Sequence, residues 1–148
     1  MAIVQAMCTS FKVELMQAVH NFTNTTGNTF KLALFRAQAS ISGTFGAGTT
    51  NYSDMGADQA TGTNYTAGGS ALTNVTPTSS GTTAYTDFAD LVFTNVTITT
   101  SGCLIYNSSA SNKAVAVFNF GGDKTATAGD MTIIFPTADA SSAIIGLV

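Results

Sequence analysis

Charge is what this sequence has least of. Only 9% of its 148 residues are Asp, Glu, Lys or Arg, against 45% hydrophobic, where a soluble protein surface ordinarily carries about a quarter to a third charged side chains. Thr, Ser, Asn and Gly make up most of the rest. Hydroxyls tolerate burial when hydrogen-bonded, whereas a buried charge needs a partner at every contact. The composition therefore points to a surface packed against other protein. Basic residues are few: Lys12, Lys31, Arg36, Lys113 and Lys124 are scattered, and the net charge is −3. No basic footprint for phosphates is present, so direct nucleic-acid binding is not expected.

Cysteine is limited to Cys8 and Cys103. They are far apart, without a CxxC or a histidine cluster, and do not read as a zinc site. Two reduced, buried thiols are the simpler reading, and a disulfide pinning the N-terminal segment to the body is the alternative. Long apolar runs are missing too. Nothing approaches a transmembrane helix, and Met1 to Thr9 lacks the basic and apolar stretches of a secretory signal. Synthesis in a cytoplasm and no membrane partner are the expectations. The seven Asn-x-Ser/Thr sequons, from Asn21 to Asn107, then follow from abundant Thr rather than from glycosylation.

Catalytic signals are equally thin. The one histidine, His20, has no evident orienting partner, because Glu14 lies six residues earlier on a different part of an expected helix. Asp87 and Asp90 read as solvating a corner rather than as a hydrolytic pair. Asp54 and Asp58 sit in a Gly-rich loop that has neither EF-hand spacing nor a closing Glu. Gly121-Gly122-Asp123-Lys124-Thr125 ends like a phosphate loop, but it lacks the upstream Gly and reads as a hairpin turn. Gly-x-Ser-x-Gly does not occur. No enzyme activity, catalytic residue, metal or cofactor is expected. Trp is absent, so Tyr52, Tyr65, Tyr85 and Tyr106 read as packing rings before a sugar platform.

What is present is mostly strand pattern. One helical stretch is expected over 10–21, where Phe11, Leu15, Val19 and Phe22 recur at steps of four and three beside Met16, after a Thr9-Ser10 cap. Phe30, Leu32 and Leu34 then alternate on one strand face. Residues 37–63 form a long Gly/Ser/Thr-rich loop anchored by Ile41, Phe45 and Tyr52, with a short strand or helical turn near Tyr52 to Met55. Short strands follow around residues 71–75 (ended by Pro77), 84–88, 91–93, 95–99, 103–107, 114–120, 131–135 and 143–148, with turns between them. Their spacing predicts one all-β domain, an antiparallel, jelly-roll-like β-sandwich with one short N-terminal α-helix. The apolar C-terminal run is expected to tuck into the core or a neighbouring subunit.

Three segments carry a resemblance. They are Ser10 to Leu15 continuing to Val19-His20-Asn21-Phe22; Phe30-Lys31-Leu32-Ala33-Leu34-Phe35; and a third made of Tyr65 to Gly69, Leu104 to Asn107 and Ala114 to Thr125. In order and spacing the chain resembles, over nearly its whole length, a family of small structural proteins of tailed bacteriophages. The resemblance implies a virion component, a head decoration (cement) protein sitting on the capsid surface as a homotrimer bound to the major capsid protein. It implies no catalytic residues. On that reading Phe11, Leu15, Met16, Val19 and Phe22 dock on the sheet or on a neighbour, and the long loop with Phe45 and Tyr52 makes intersubunit contacts. The simpler reading of the helix is that its apolar stripe covers its own sheet. A neck, tail or adhesin-like part that binds a host glycan is the alternative function.

Overall fold

The computed structural model describes residues 3–36 and 42–148. In chain order the elements are β1 (Ala6–Met7), α1 (Thr9–Met16), β2 (Phe30–Phe35), a 3-10 segment (Tyr52–Asp58), β3 (Gly62–Thr63), β4 (Ser70–Ala71), β5 (Asn74–Ser80), β6 (Thr83–Phe88), β7 (Leu91–Asn107), β8 (Lys113–Ile133) and β9 (Ile145–Leu147). Strand pairing is antiparallel throughout. One sheet runs β1-β8-β7-β2-β4, with β3 added to β7, and a second runs β5-β6-β9. The chain is all-β with a short N-terminal α-helix, as the strand pattern predicts. The 3-10 segment lies where the sequence leaves a short strand or a helical turn open.

The short strands expected between residues 91 and 135 are mostly not separate. β7 and β8 are continuous strands of 17 and 21 residues, paired from Leu91↔Ile133 to Asn107↔Lys113. The Gly- and Asn-rich interruptions that resemble turns are register shifts, between Phe93 and Val96, Val96 and Ile98, and Thr100 and Gly102. Gly121 to Thr125, expected as a turn, is likewise inside β8, where Gly121 and Gly122 have positive φ. A glycine within a ladder more often marks a bulge than a chain reversal.

These bulges fold the hairpin over. A flat 17-residue strand spans about 55 Å. Yet Phe30, paired with Asn107 at the turn end, lies with its ring 5.6 Å from that of Phe88, three residues before Leu91 at the open end. The two ends of β7 therefore close on one core. Gly102 makes the bend possible: a Cβ there would lie 2.3 Å from Phe118 O and 2.5 Å from the Phe35 ring. Thr100 supports it by donating its hydroxyl to Phe35 O at 2.7 Å.

Burial follows from this doubling. β2 is buried on both faces, with Ala33 and Phe35 covered as well as Phe30, Leu32 and Leu34; the expected one-sided alternation is lost because Phe22 covers Phe30 on one face and Phe45 covers Phe35 on the other. Pro77 does not end β5 but sits inside it, at a register shift on an edge strand, the place where a missing N–H is tolerated. Within the expected loop, Phe45 and Met55 enter the core. Ile41 lies outside the described residues.

Candidate functional site

The helix ends earlier than its apolar spacing suggests. α1 stops at Met16, and Ala18 takes a left-handed conformation with φ 57°. Ala18 N donates to Leu15 O and Val19 N to Glu14 O, the paired bonds of a Schellman stop. Cys8, rather than Thr9 or Ser10, is the N-cap, and it makes no side-chain capping bond. The reversal carries residues 17–29 back across the helix. Asn28 N donates to Asn21 O at 2.7 Å and closes this returning segment.

That reversal supplies the partner His20 lacks in sequence. His20 Nε2 lies 2.8 Å from Glu14 Oε2, and Nδ1 lies 3.0 Å from Asn107 Nδ2. Lys113 Nζ reaches the other Glu14 oxygen at 2.7 Å. A chain Lys113–Glu14–His20–Asn107, buried except at its half-exposed Lys113 end, thus joins α1, the returning segment and the β7–β8 turn. Phe11 packs against the imidazole at 4.9 Å, and Phe22 stacks on Phe30 at 4.3 Å beside it. Desolvation, the largest influence on the imidazole, pushes its pKa below the ordinary value, opposed by Glu14. Desolvation also pushes Glu14 up, but its bonds to Lys113 and His20 and the Lys113 charge together hold it below the ordinary carboxylate range. Both ring nitrogens are engaged, so the imidazole has no free atom to offer a substrate.

A cleft of about 430 Å³ opens beside this network, with Leu15, Ala18 and Phe22 on one wall and Tyr85, Ile145 and Leu147 on the other. Its lining is mainly apolar, and His20 and Asn21 also border it. The interface residues inferred from sequence divide here. Phe11, Phe22 and Phe45 are buried within the chain itself, where the apolar stripe covers its own sheet and Phe45 stacks on Phe35 at 4.2 Å. Leu15, Val19 and Tyr52 are half-buried, and Tyr52 stacks on Tyr106 at 4.7 Å. Met16 alone among them stands clear of the body, 83% exposed.

The acidic residues are organisers rather than solvated corners. Asp87 is fully buried; it accepts from Phe88 N at 2.8 Å and from Ile144 N at 3.2 Å, and burial raises its pKa. Asp90 accepts from Phe135 N at 2.8 Å. The pair therefore ties the C-terminal segment to the end of β6, a role that three-residue spacing does not reveal. Asp54 caps the 3-10 segment through Thr50 and Asn51. Asp58 gathers the backbone N–H groups of Ser42 and Gly43, both at 2.7 Å. No group of metal-ligating side chains occurs among the described residues.

Cys8 and Cys103 are free and buried. Burial, with Asp54 and Glu14 nearby, pushes the Cys8 thiol up to about 12, and burial alone raises Cys103, so both are poor nucleophiles at neutral pH. The tyrosines hold the fold: Leu34 N donates to the Tyr65 hydroxyl at 2.8 Å, and the Tyr106 hydroxyl donates to Gly68 O at 2.7 Å. No helix is long and apolar enough to cross a membrane among the described residues. Compared with family models, curated proteins and solved structures, the chain matches none.

Proposed function

We propose that this chain is a structural component of a tailed-bacteriophage particle, a decoration (cement) protein that binds and stabilises the assembled head. Its partners on this reading are the major capsid protein and further copies of itself in a homotrimer on the capsid surface. The observation that carries it is the pairing of a charge-poor sequence with large apolar side chains left in solvent. Met16, Ile134 and Leu147 are 83%, 76% and 60% exposed, on a chain only 9% charged. Surfaces of this kind gain by being covered. A cement protein that binds only the assembled shell shifts the equilibrium toward assembly by mass action. The test is mass spectrometry of purified particles. Copy number comparable with that of the capsid protein is expected; a handful of copies per particle overturns the cement reading in favour of a neck or tail part.

One observation favours the alternative of glycan binding. A cleft of about 360 Å³ is lined by Asn24, Thr25, Asn28, Thr29, Thr73 and Asn74, with no charged side chain on its wall. Neutral amides and hydroxyls suit the hydroxyls of a saccharide. Retention of the isolated protein on a glycan array, lost on Thr25→Val with Thr73→Val, supports that reading. A blank array removes it.

A further inference from the structure

The hydrogen-bond directions around His20 are set from outside the ring. Asn107 Oδ1 accepts from Ser109 N at 3.0 Å and from Ala110 N at 3.2 Å, so this end of the amide is held in the β7–β8 turn. Nδ2, at the other end, donates one hydrogen to Asn28 Oδ1 at 2.9 Å and directs the second at His20 Nδ1, 3.0 Å away. Asn28 Oδ1 also accepts from Asn21 N at 2.8 Å. Turning the amide over would abandon the two turn N–H groups and set carbonyl against carbonyl at Asn28. Nδ1 is therefore an acceptor, and the ring is the neutral tautomer that donates from Nε2 to Glu14.

A second proton has no acceptor in this arrangement. It would face the Asn107 N–H at 3.0 Å, donor against donor. Charge argues the same way. Glu14, on α1, is already paired with Lys113, at the start of β8, so an imidazolium would leave the cluster with a surplus positive charge. The other neighbours supply no negative charge: α1 adds the Phe11 ring, the returning segment Phe22, β2 Phe30 and β7 Asn107.

We propose that His20 is an acid-released latch: a proton on its ring breaks the Asn107 contact, lifts residues 17–23 away from α1 and from residues 24–29, which Thr76, Asn74 and Ser109 keep tied to β5 and the β7–β8 turn, and opens the apolar cleft. The segment forms one wall of that cleft through Ala18, Asn21 and Phe22, and it covers the Phe11 and Phe30 rings. Release therefore exposes aromatic surface that the closed chain hides. The direction of the pKa agrees, since desolvation lowers it. The open state binds a proton that the closed state resists. Opening is thus suppressed above the ordinary imidazole range and favoured as pH falls below it.

His20 is the only histidine, so imidazole NMR signals of the whole protein report it alone. Above neutrality the expected signature is a protonated Nε2 and a bare Nδ1. On acidification the ring should titrate below the ordinary value. Amide exchange at Gly27 and Asn28, corrected for intrinsic rates, should quicken by approaching about tenfold per pH unit from the ordinary imidazole value down to that midpoint and then level off, as binding of an apolar dye rises. Asn107→Asp keeps the oxygen acceptor for the turn and offers Nδ1–H an acceptor; it gives up the bond to Asn28 Oδ1, so its exchange is read as a pH dependence and not as an absolute rate. It should move the midpoint above the ordinary value and abolish acid opening. A proton on Nδ1 at high pH, a midpoint at or above the ordinary value in the natural protein, or exchange at residues 27 and 28 that ignores the titration overturns the latch. Should Asn107→Asp not fold, the tautomer and exchange measurements on the natural chain decide alone.

Discussion

Ala18 shows how much one residue settles. With φ 57° it holds a position that glycine fills at least cost, and everything from the helix stop to the His20–Glu14 contact depends on it. Ala18→Gly is expected to stabilise the chain by about 0.5 kcal/mol, while Ala18→Val, branched at Cβ, should cost more than about 1 kcal/mol; urea unfolding measures both. A stabilising valine would mean that the left-handed turn is not populated. Before folding, nothing marked this site. Val19 and Phe22 continue the spacing of Phe11 and Leu15, so apolar periodicity runs on through the reversal. The helix-breaking run Asn21-Phe22-Thr23-Asn24-Thr25-Thr26-Gly27 begins several residues after the helix has already stopped.

At the scale of elements, the bent β7–β8 hairpin and its acidic ties organise the molecule. Gly102→Ala would drive a methyl group into Phe118 O and the Phe35 ring and is expected to cost more than about 2 kcal/mol. Gly146→Ala meets nothing within 4 Å and serves as the neutral control in the same unfolding series. Asp87→Ala leaves the Ile144 N–H and the β6 end without their acceptor, at a cost of about 1–3 kcal/mol. Proteolysis should then begin in the residues between Phe135 and Ile145. Equal protease resistance in the variant would show that β9 is held by its ladder to β6 alone. The individual apolar runs of this region were legible from alternation. Their fusion into two long strands was not, because Gly and Asn read the same at a turn and at a bulge until a partner strand is present.

The whole molecule carries the consequences of few charges. Replacing Met16 and Ile134 together by Lys should leave the fold intact, since both side chains project into solvent. It should also weaken self-association or particle binding, which sedimentation of the variant with and without particles reads directly. Unchanged association would place the interface elsewhere. Acid stability is the second global expectation. His20, lowered by burial, and Glu14, held low by Lys113 and His20 against its own desolvation, both make the unfolded chain the stronger proton binder. Stability is therefore full above the ordinary imidazole value. It falls first as pH drops through that range and again as pH drops through the carboxylate range. Asp87, raised by burial, opposes this over the window above its ordinary value. The urea midpoint should accordingly decline in two stages, and Glu14→Gln should reduce the second, leaving the part due to Asp139, which the Ser141 and Ser142 N–H groups also hold low. A midpoint that rises continuously toward acid would assign the larger effect to Asp87.

Composition and alternation by themselves determined that the chain is all-β and antiparallel with one short helix near its start, and that its surface is poor in charge. Those properties rest on local chemistry: branched and aromatic residues at period two, and few ionisable side chains anywhere. Tertiary structure alone decided where the helix stops, that β7 and β8 are single bent strands, and that Phe11, Phe22 and Phe45 are spent inside the chain while Met16 is left outside. It also decided that a histidine with no neighbour in sequence is held between Glu14 and Asn107, 6 and 87 positions away. Contacts of that kind depend on which segments a bulge or a left-handed turn brings together, and no window of sequence contains both sides.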